Sequence, residues 1–90
     1  MSEDLKARFD VAKQEVTQLS QAPDAQIQLR LYGLFKQSTV GDCTGSRPGM
    51  LDFAGRAKYD AWKGLEGTSQ EEAMQKYIEL VEELKAADKK

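Results

Sequence analysis

The chain of 90 residues has no histidine and a single cysteine. Without histidine, several chemistries are excluded: Ser-His and Cys-His nucleophile pairs, histidine-ligated zinc and a histidine general base. Cys43 has no second cysteine with which to form an internal disulfide, and a free thiol is ordinary in a reducing compartment. We therefore expect a cytoplasmic protein that is held together by packing, with no catalytic residue.

Long apolar runs are also missing. No stretch approaches the roughly 18 consecutive apolar residues that a spanning helix needs, and the N-terminus lacks the apolar core of a signal peptide. Acidic pairs such as Glu71-Glu72 stand beside lysines, a pattern typical of solvated helix faces rather than of a metal site. We expect no stable membrane insertion, no metal and no cofactor.

Charge is nearly balanced overall but unevenly distributed. The chain has 13 basic and 15 acidic side chains, a net charge of −2 and a pI of about 5.1. Residues 1–29 sum to −2, residues 30–63 to +3 and residues 64–90 to −3. The acidic pI and the absence of dense Lys/Arg clusters argue against nucleic acid as a partner. The basic middle segment is either a solvated surface or a site for an anion.

Apolar spacing predicts four helices and no strand within one domain, 1–90. The first carries a stripe at Leu5, Phe9, Ala12, Val16 and Leu19 and ends before Pro23. The second spans about 25–40, with Asp24 as its N-cap. A glycine-rich loop follows from Gly41 to Gly55, and a third helix carries Ala57, Ala61, Trp62 and Leu65.

The fourth helix has the strongest start signal. Thr68 with Glu71, or Ser69 with Glu72, satisfies the capping-box pattern, and no Gly or Pro interrupts the run to Lys90. Its predicted buried face is Met74, Tyr77, Ile78, Val81 and Leu84. The predicted fold class is all-α, a bundle of four helices with a long connection between the second and the third.

Two places in the basic middle segment hold candidate binding residues. Tyr32, Phe35 and Lys36 project from nearly one helix face and can bind a phosphorylated aromatic ligand; alternatively, both rings are core and the lysine is solvated. Of Arg56 and Lys58, two positions apart on a helix, only one is expected to face a given ligand.

The loop contains three large apolar residues where polar ones are the norm. Met50, Leu51 and Phe53 either pin the loop onto the helices or line the path of an apolar ligand. Cys43 lies in the same loop without a neighbouring base, so it is not expected to be a nucleophile.

Several separated motifs, in order and at matching spacing, strongly resemble the acyl-CoA-binding protein family. They are LYGLFKQSTVGD at 31–42, RPGMLDF at 47–53, AKYDAW at 57–62, GTS at 67–69, AM at 73–74 and YI at 77–78. The resemblance implies an up-down-down-up bundle that binds long-chain fatty acyl-CoA esters without catalysis and carries them within the cell. It agrees with a basic segment inside an acidic chain, because the CoA head is anionic.

The resemblance also implies a ligand site. Tyr32 and Lys36 would hold the 3′-phosphate and ribose region, Lys58 would add charge, Phe35 would lie against the adenine and Tyr77 would contact the nucleotide. The remaining implied contacts are Ala12, Lys13, Met50 and Leu51. Phe35 stands where many members have Tyr, and Thr17 and Ala54 stand where Lys is frequent. We therefore expect a weaker or more salt-sensitive phosphate contribution, with Lys13 replacing one missing cation.

Two other functions stay open on the sequence. One is a thioesterase or isomerase that acts on the same ester and uses a Glu or Asp to activate water. The other is a helical interaction module without a small ligand. The polar outer faces of the helices fit a monomer in each case.

Overall fold

The structure, a computed structural model, describes residues 2–88 and contains four helices. They are α1 (Ser2–Val16), α2 (Ala25–Thr39), α3 (Phe53–Lys63) and α4 (Gln70–Asp88). No strand occurs in this part of the chain, so the predicted all-α fold is confirmed. The last two residues of the predicted fourth helix, 89 and 90, lie outside the described residues. None of the four helices is both long and apolar enough to cross a membrane.

Three helices begin at side-chain caps, of which the sequence predicted two. Asp24 Oδ1 accepts from the backbone N–H of Ile27 at 2.9 Å, as predicted. At α4, Ser69 rather than Thr68 is the cap, because its Oγ accepts from the N–H of Glu72 at 3.0 Å. The third cap was missed: Asp52 Oδ1 accepts from the N–H of Gly55 at 3.0 Å. Consequently α3 begins at Phe53, inside the predicted loop.

Two helices end earlier than their apolar stripes suggest. After Val16, the N–H groups of Thr17 and Gln18 donate to carbonyls three residues back, which tightens the chain into a turn. Leu19 therefore lies outside α1 although it continues the stripe. Likewise α3 ends at Lys63, and Leu65 lies in the turn that leads to Gly67, whose φ of +91° only glycine adopts readily.

The core forms where α1 and α2 pack against α4. Its buried members are Phe9, Ala12, Leu31, Leu34, Ala73, Tyr77, Ile78, Leu80 and Val81. Met74 and Leu84, which were predicted to be buried on α4, are only partly so, whereas Leu80 was not predicted and is 4% exposed. The buried face of α4 is wider than one stripe because it packs against two helices.

Polar contacts, rather than apolar ones, hold the long loop. Arg47 makes a bidentate ion pair with Asp60 at 2.7 and 3.0 Å, and Trp62 Nε1 donates to the carbonyl of Gly41 at 2.8 Å. Met50, Leu51 and Phe53 are 77%, 91% and 76% exposed. The interpretation that these three side chains pin the loop is therefore wrong.

The order of packing leaves two grooves. Helices α1 and α2 both contact α4, and α3 and α4 both contact α2, whereas the backbones of α1 and α2, and of α3 and α4, stay apart. The α1–α2 groove thus has α4 as its floor, and the α3–α4 groove has α2 as its floor.

Candidate functional site

The α1–α2 groove brings together three of the predicted site residues. Its volume is about 330 Å³, and it is lined by Val16, Pro23, Gln28, Leu31, Tyr32, Phe35 and Tyr77. Residues 28, 31, 32 and 35 of α2 share one face because they are three or four apart in a helix. Tyr32 and Phe35 are half-buried there, so part of each ring is open to the groove, while Phe35 also packs against the core.

Three lysines from three helices lie over aromatic rings at or near this groove. Lys58 Nζ is 5.6 Å from the centre of the Tyr32 ring, and Lys13 Nζ is 5.6 Å from the centre of the Phe35 ring. Lys36 Nζ lies 5.1 Å from the Trp62 ring. Each separation is within the range of a cation–π contact, so the rings help to hold the ammonium groups in place.

Most of this positive charge is not neutralised. Within residues 2–88, neither Lys36 nor Lys58 takes part in an ion pair, while Lys13 Nζ lies 3.1 Å from Asp10 Oδ1. Unpaired cations beside low-dielectric aromatic walls create a positive potential. The site is therefore suited to an anionic ligand.

Tyr77 closes the floor of the groove. Its ring meets the Phe9 ring edge-on, with centres 5.0 Å apart and planes at 73°, and the residue is only 5% exposed. Burial raises the pKa of the Tyr77 hydroxyl. The phenol is therefore protonated near neutral pH and can donate a hydrogen bond to a ligand that reaches the floor.

Three predicted site residues lie away from the groove. Ala12 is 3% exposed and packs in the core. Met50 and Leu51 project from the loop and are not part of the groove lining. Of the Arg56 and Lys58 pair, Lys58 lies over Tyr32.

Four lining residues were not singled out from the sequence. Val16 and Leu31 belong to apolar stripes, which are more often core, and Pro23 carried no signal beyond ending a segment. Gln28 lies one turn before Tyr32, so helical spacing alone could have identified it. Its Nε2 donates to the carbonyl of Pro23 at 2.6 Å, which joins the α1–α2 connection to the groove wall.

No cluster of three or more Cys, Asp or Glu side chains in residues 2–88 could hold a metal ion. Cys43 lies on the loop, with its Sγ 3.9 Å from the carbonyl of Thr44. The arrangement of rings, ammonium groups and apolar walls is that of a binding site for an amphiphilic anion.

Comparison with known proteins gives a consistent result. The family model described as "Acyl CoA binding protein" matches residues 6–81. An acyl-CoA-binding protein of Brassica napus is 48% identical over 84 residues, which are 93% of this chain and 91% of the relative. The crystal structure of Oryza sativa acyl-CoA-binding protein 2 is 40% identical, with a TM-score of 0.90 and coverage of 94% of each chain.

A third relative is an enzyme. Rattus norvegicus enoyl-CoA delta isomerase 2 is 42% identical over 79 residues, which are 88% of this chain but only 20% of the isomerase. The similarity therefore concerns a module of that enzyme about the size of this chain. The model match over most of the chain and the two full-length relatives show the family: the chain belongs to the acyl-CoA-binding protein family.

Proposed function

We propose that the chain binds long-chain fatty acyl-CoA esters in the α1–α2 groove and carries them without making or breaking a bond. The observation that supports this best is that Lys58 lies over Tyr32 and Lys13 over Phe35, while Lys36 projects from the same helix as these rings; Lys36 and Lys58 have no acidic partner in residues 2–88. The CoA head offers phosphates and an adenine, which are the groups that such a set recognises.

The head group is assigned to the basic side of the groove. Lys36 and Lys58 approach the 3′-phosphate, while the Tyr32 hydroxyl contacts the ribose region. Phe35 lies against the adenine, and its cation–π contact holds Lys13 beside the ring. The Tyr77 phenol reaches the nucleotide from the floor. Because these cations are partly exposed, we expect binding to weaken as salt increases.

The acyl tail supplies the larger part of the affinity. Each Å² of apolar surface removed from water contributes roughly 25 cal/mol, and a long acyl tail carries a large apolar surface that binding can remove from water. Val16 and Leu31 offer apolar wall inside the groove. Met50 and Leu51 are exposed apolar surface on the loop that a tail leaving the groove can cover. A single-domain, monomeric carrier in the cytoplasm fits this role.

Isothermal titration with palmitoyl-CoA and with CoA tests the proposal. We expect palmitoyl-CoA to bind far more tightly than CoA, since only the ester has a tail to bury. Lys36→Ala should weaken both ligands about tenfold, the scale of one charge-assisted hydrogen bond. Lys76→Ala is the matched control, because Lys76 lies on the α3–α4 side, and it should leave both affinities unchanged.

Two results would contradict the proposal. Equal affinities for CoA and palmitoyl-CoA would exclude tail burial, and equal effects of the two lysine substitutions would exclude the α1–α2 groove as the head-group site. Release of free thiol from palmitoyl-CoA during the titration would instead indicate a thioesterase.

A further inference from the structure

The α3–α4 groove lies on the other face of α2 from the proposed acyl-CoA site. Its volume is about 430 Å³. Small-molecule sites in proteins run from about 300 to 1,000 Å³. A helix rises about 5.4 Å per turn and is about 10 Å across, so this volume would hold roughly one turn of a docked helix. The space therefore suits a small ligand better than a helical segment of another protein.

The walls of this groove are aliphatic. The apolar lining residues are Leu29, Leu34, Ala61, Leu65 and Leu80, and no aromatic side chain is among the lining residues. Leu34 on α2 and Leu80 on α4 are each 4% exposed, while Leu29 and Leu65 are half-buried. Such a surface favours a flexible alkyl chain and offers an aromatic heterocycle no ring to stack on.

The rim carries two cations and two anions, Arg30, Lys76, Glu79 and Glu83. Lys76 pairs with Glu72 at 3.4 Å, and Glu79 accepts from Gln75 at 3.1 Å. Arg30 on α2 and Glu83 on α4 make no ion pair or side-chain hydrogen bond within the described residues. One uncommitted charge of each sign therefore borders an aliphatic groove.

We propose that the α3–α4 groove binds a single-chain zwitterionic amphiphile, with its alkyl chain on the leucines. The anionic group of its head lies at Arg30 and the cationic group at Glu83. A purely anionic head would face two glutamates, and a purely cationic head would face Arg30 and Lys76. This site shares no lining residue with the α1–α2 groove, so it can be occupied independently of acyl-CoA.

Titration of the isotope-labelled chain with three twelve-carbon probes, followed by amide chemical shifts, tests the proposal. The probes are dodecylphosphocholine, dodecanoate and dodecyltrimethylammonium, each kept below its micelle-forming concentration. We expect dodecylphosphocholine to bind most tightly and to shift the amides of Leu29, Leu65 and Leu80. Equal binding of the three probes would overturn the charge assignment, and shifts centred on Tyr32 and Phe35 would overturn the site.

A charge-reversal pair provides the matched control. Arg30→Glu should weaken dodecylphosphocholine binding about three- to fivefold, the effect of one partly exposed ionic contact. Arg8→Glu on α1 changes the net charge equally but lies away from the groove, so it should have no effect. Equal weakening by both substitutions would overturn the role of Arg30. Palmitoyl-CoA affinity, measured on the same variants, should be the same for both and reports separately on the proposed acyl-CoA site.

Discussion

The two grooves of this bundle have the same construction and opposite chemistry. Each is a gap between two helices that pack on a third, and both use α2, one as a wall and the other as the floor. Tyr32 and Phe35 on one face of α2 meet Lys58 and Lys13, whereas Leu29 and Leu34 on the other meet leucines and balanced charge. Packing order thus creates the gaps, and the two faces of a single helix decide what each gap can bind.

The largest effect should come from removing a buried side chain that lines the α3–α4 groove. Leu80→Ala deletes a side chain that is 4% exposed and belongs both to the core and to the α3–α4 groove. We expect a loss of about 3 kcal/mol in the free energy of unfolding, the usual cost of such a cavity. Urea denaturation measures it.

The matched leucine for this test is Leu51, which is 91% exposed on the loop. Leu51→Ala should change the free energy of unfolding by less than about 0.5 kcal/mol, as is usual for surface positions. A comparable loss in both variants would mean that the loop leucine is packed, which would contradict its exposure.

A smaller effect should follow from adding a methyl group where α2 and α3 touch. A Cβ on Gly33 would lie 2.8 Å from the carbonyl oxygen of Ala61, so Gly33→Ala forces α3 away from α2. Overpacking of this kind costs about 1–3 kcal/mol, which the better helix propensity of alanine offsets by about 1 kcal/mol. We expect a net loss of up to about 2 kcal/mol and weaker palmitoyl-CoA binding, because Lys58 moves with α3.

Gly49→Ala is the control for this substitution. A Cβ at Gly49 meets no atom within 4 Å, so stability and affinity should both stay unchanged. If Gly33→Ala is as well tolerated as Gly49→Ala, the close approach of α3 to α2 does not position Lys58.

The smallest effect concerns acid, which weakens the hydrogen-bonded carboxylates around α3. Hydrogen bonds from the Gly67 N–H and the Gln37 side chain lower the pKa of Asp42, and Arg47 lowers that of Asp60. A carboxyl with a lowered folded pKa stabilises the fold above its unfolded pKa, and this stabilisation is lost as the pH falls through the folded pKa. The free energy of unfolding should therefore decline below about pH 4.

Asp42→Asn isolates this contribution. The amide oxygen can still accept from Gly67, but it no longer titrates, so the decline below pH 4 should be shallower than in the parent chain. Thermal unfolding at several pH values between 2 and 7 measures the difference. Parallel profiles for the two chains would show that Asp42 is not coupled to folding.

The helices were predictable because their signals are local. The Asp24 and Ser69 caps and the apolar spacings of α2 and α4 depend on residues within a turn or two of each other. The start of α3 was missed because Asp52 lies among glycines and exposed apolar residues that are typical of a loop. Leu80 was missed because one stripe was assigned to α4, whereas this helix packs against two partners.

The site was predictable only in part, for a related reason. Tyr32, Phe35 and Lys36 are close in sequence, and family motifs pointed to Lys58, Lys13 and Tyr77. Pro23 and Val16 reach the groove through the packing of α1 and α2 on α4, which no local spacing contains. The α3–α4 groove could not be predicted either, because its three walls come together only in the folded chain.

The position of α3 at the edge of the bundle has a dynamic consequence. Its backbone packs against α2 alone, and the remaining ties from the loop to α3 are polar, chiefly the Arg47–Asp60 pair and the Trp62 indole. A segment held in this way can detach as a unit while α1, α2 and α4 stay folded. Amide hydrogens of α3 should therefore exchange with solvent sooner than those of α4, which packs against both α1 and α2.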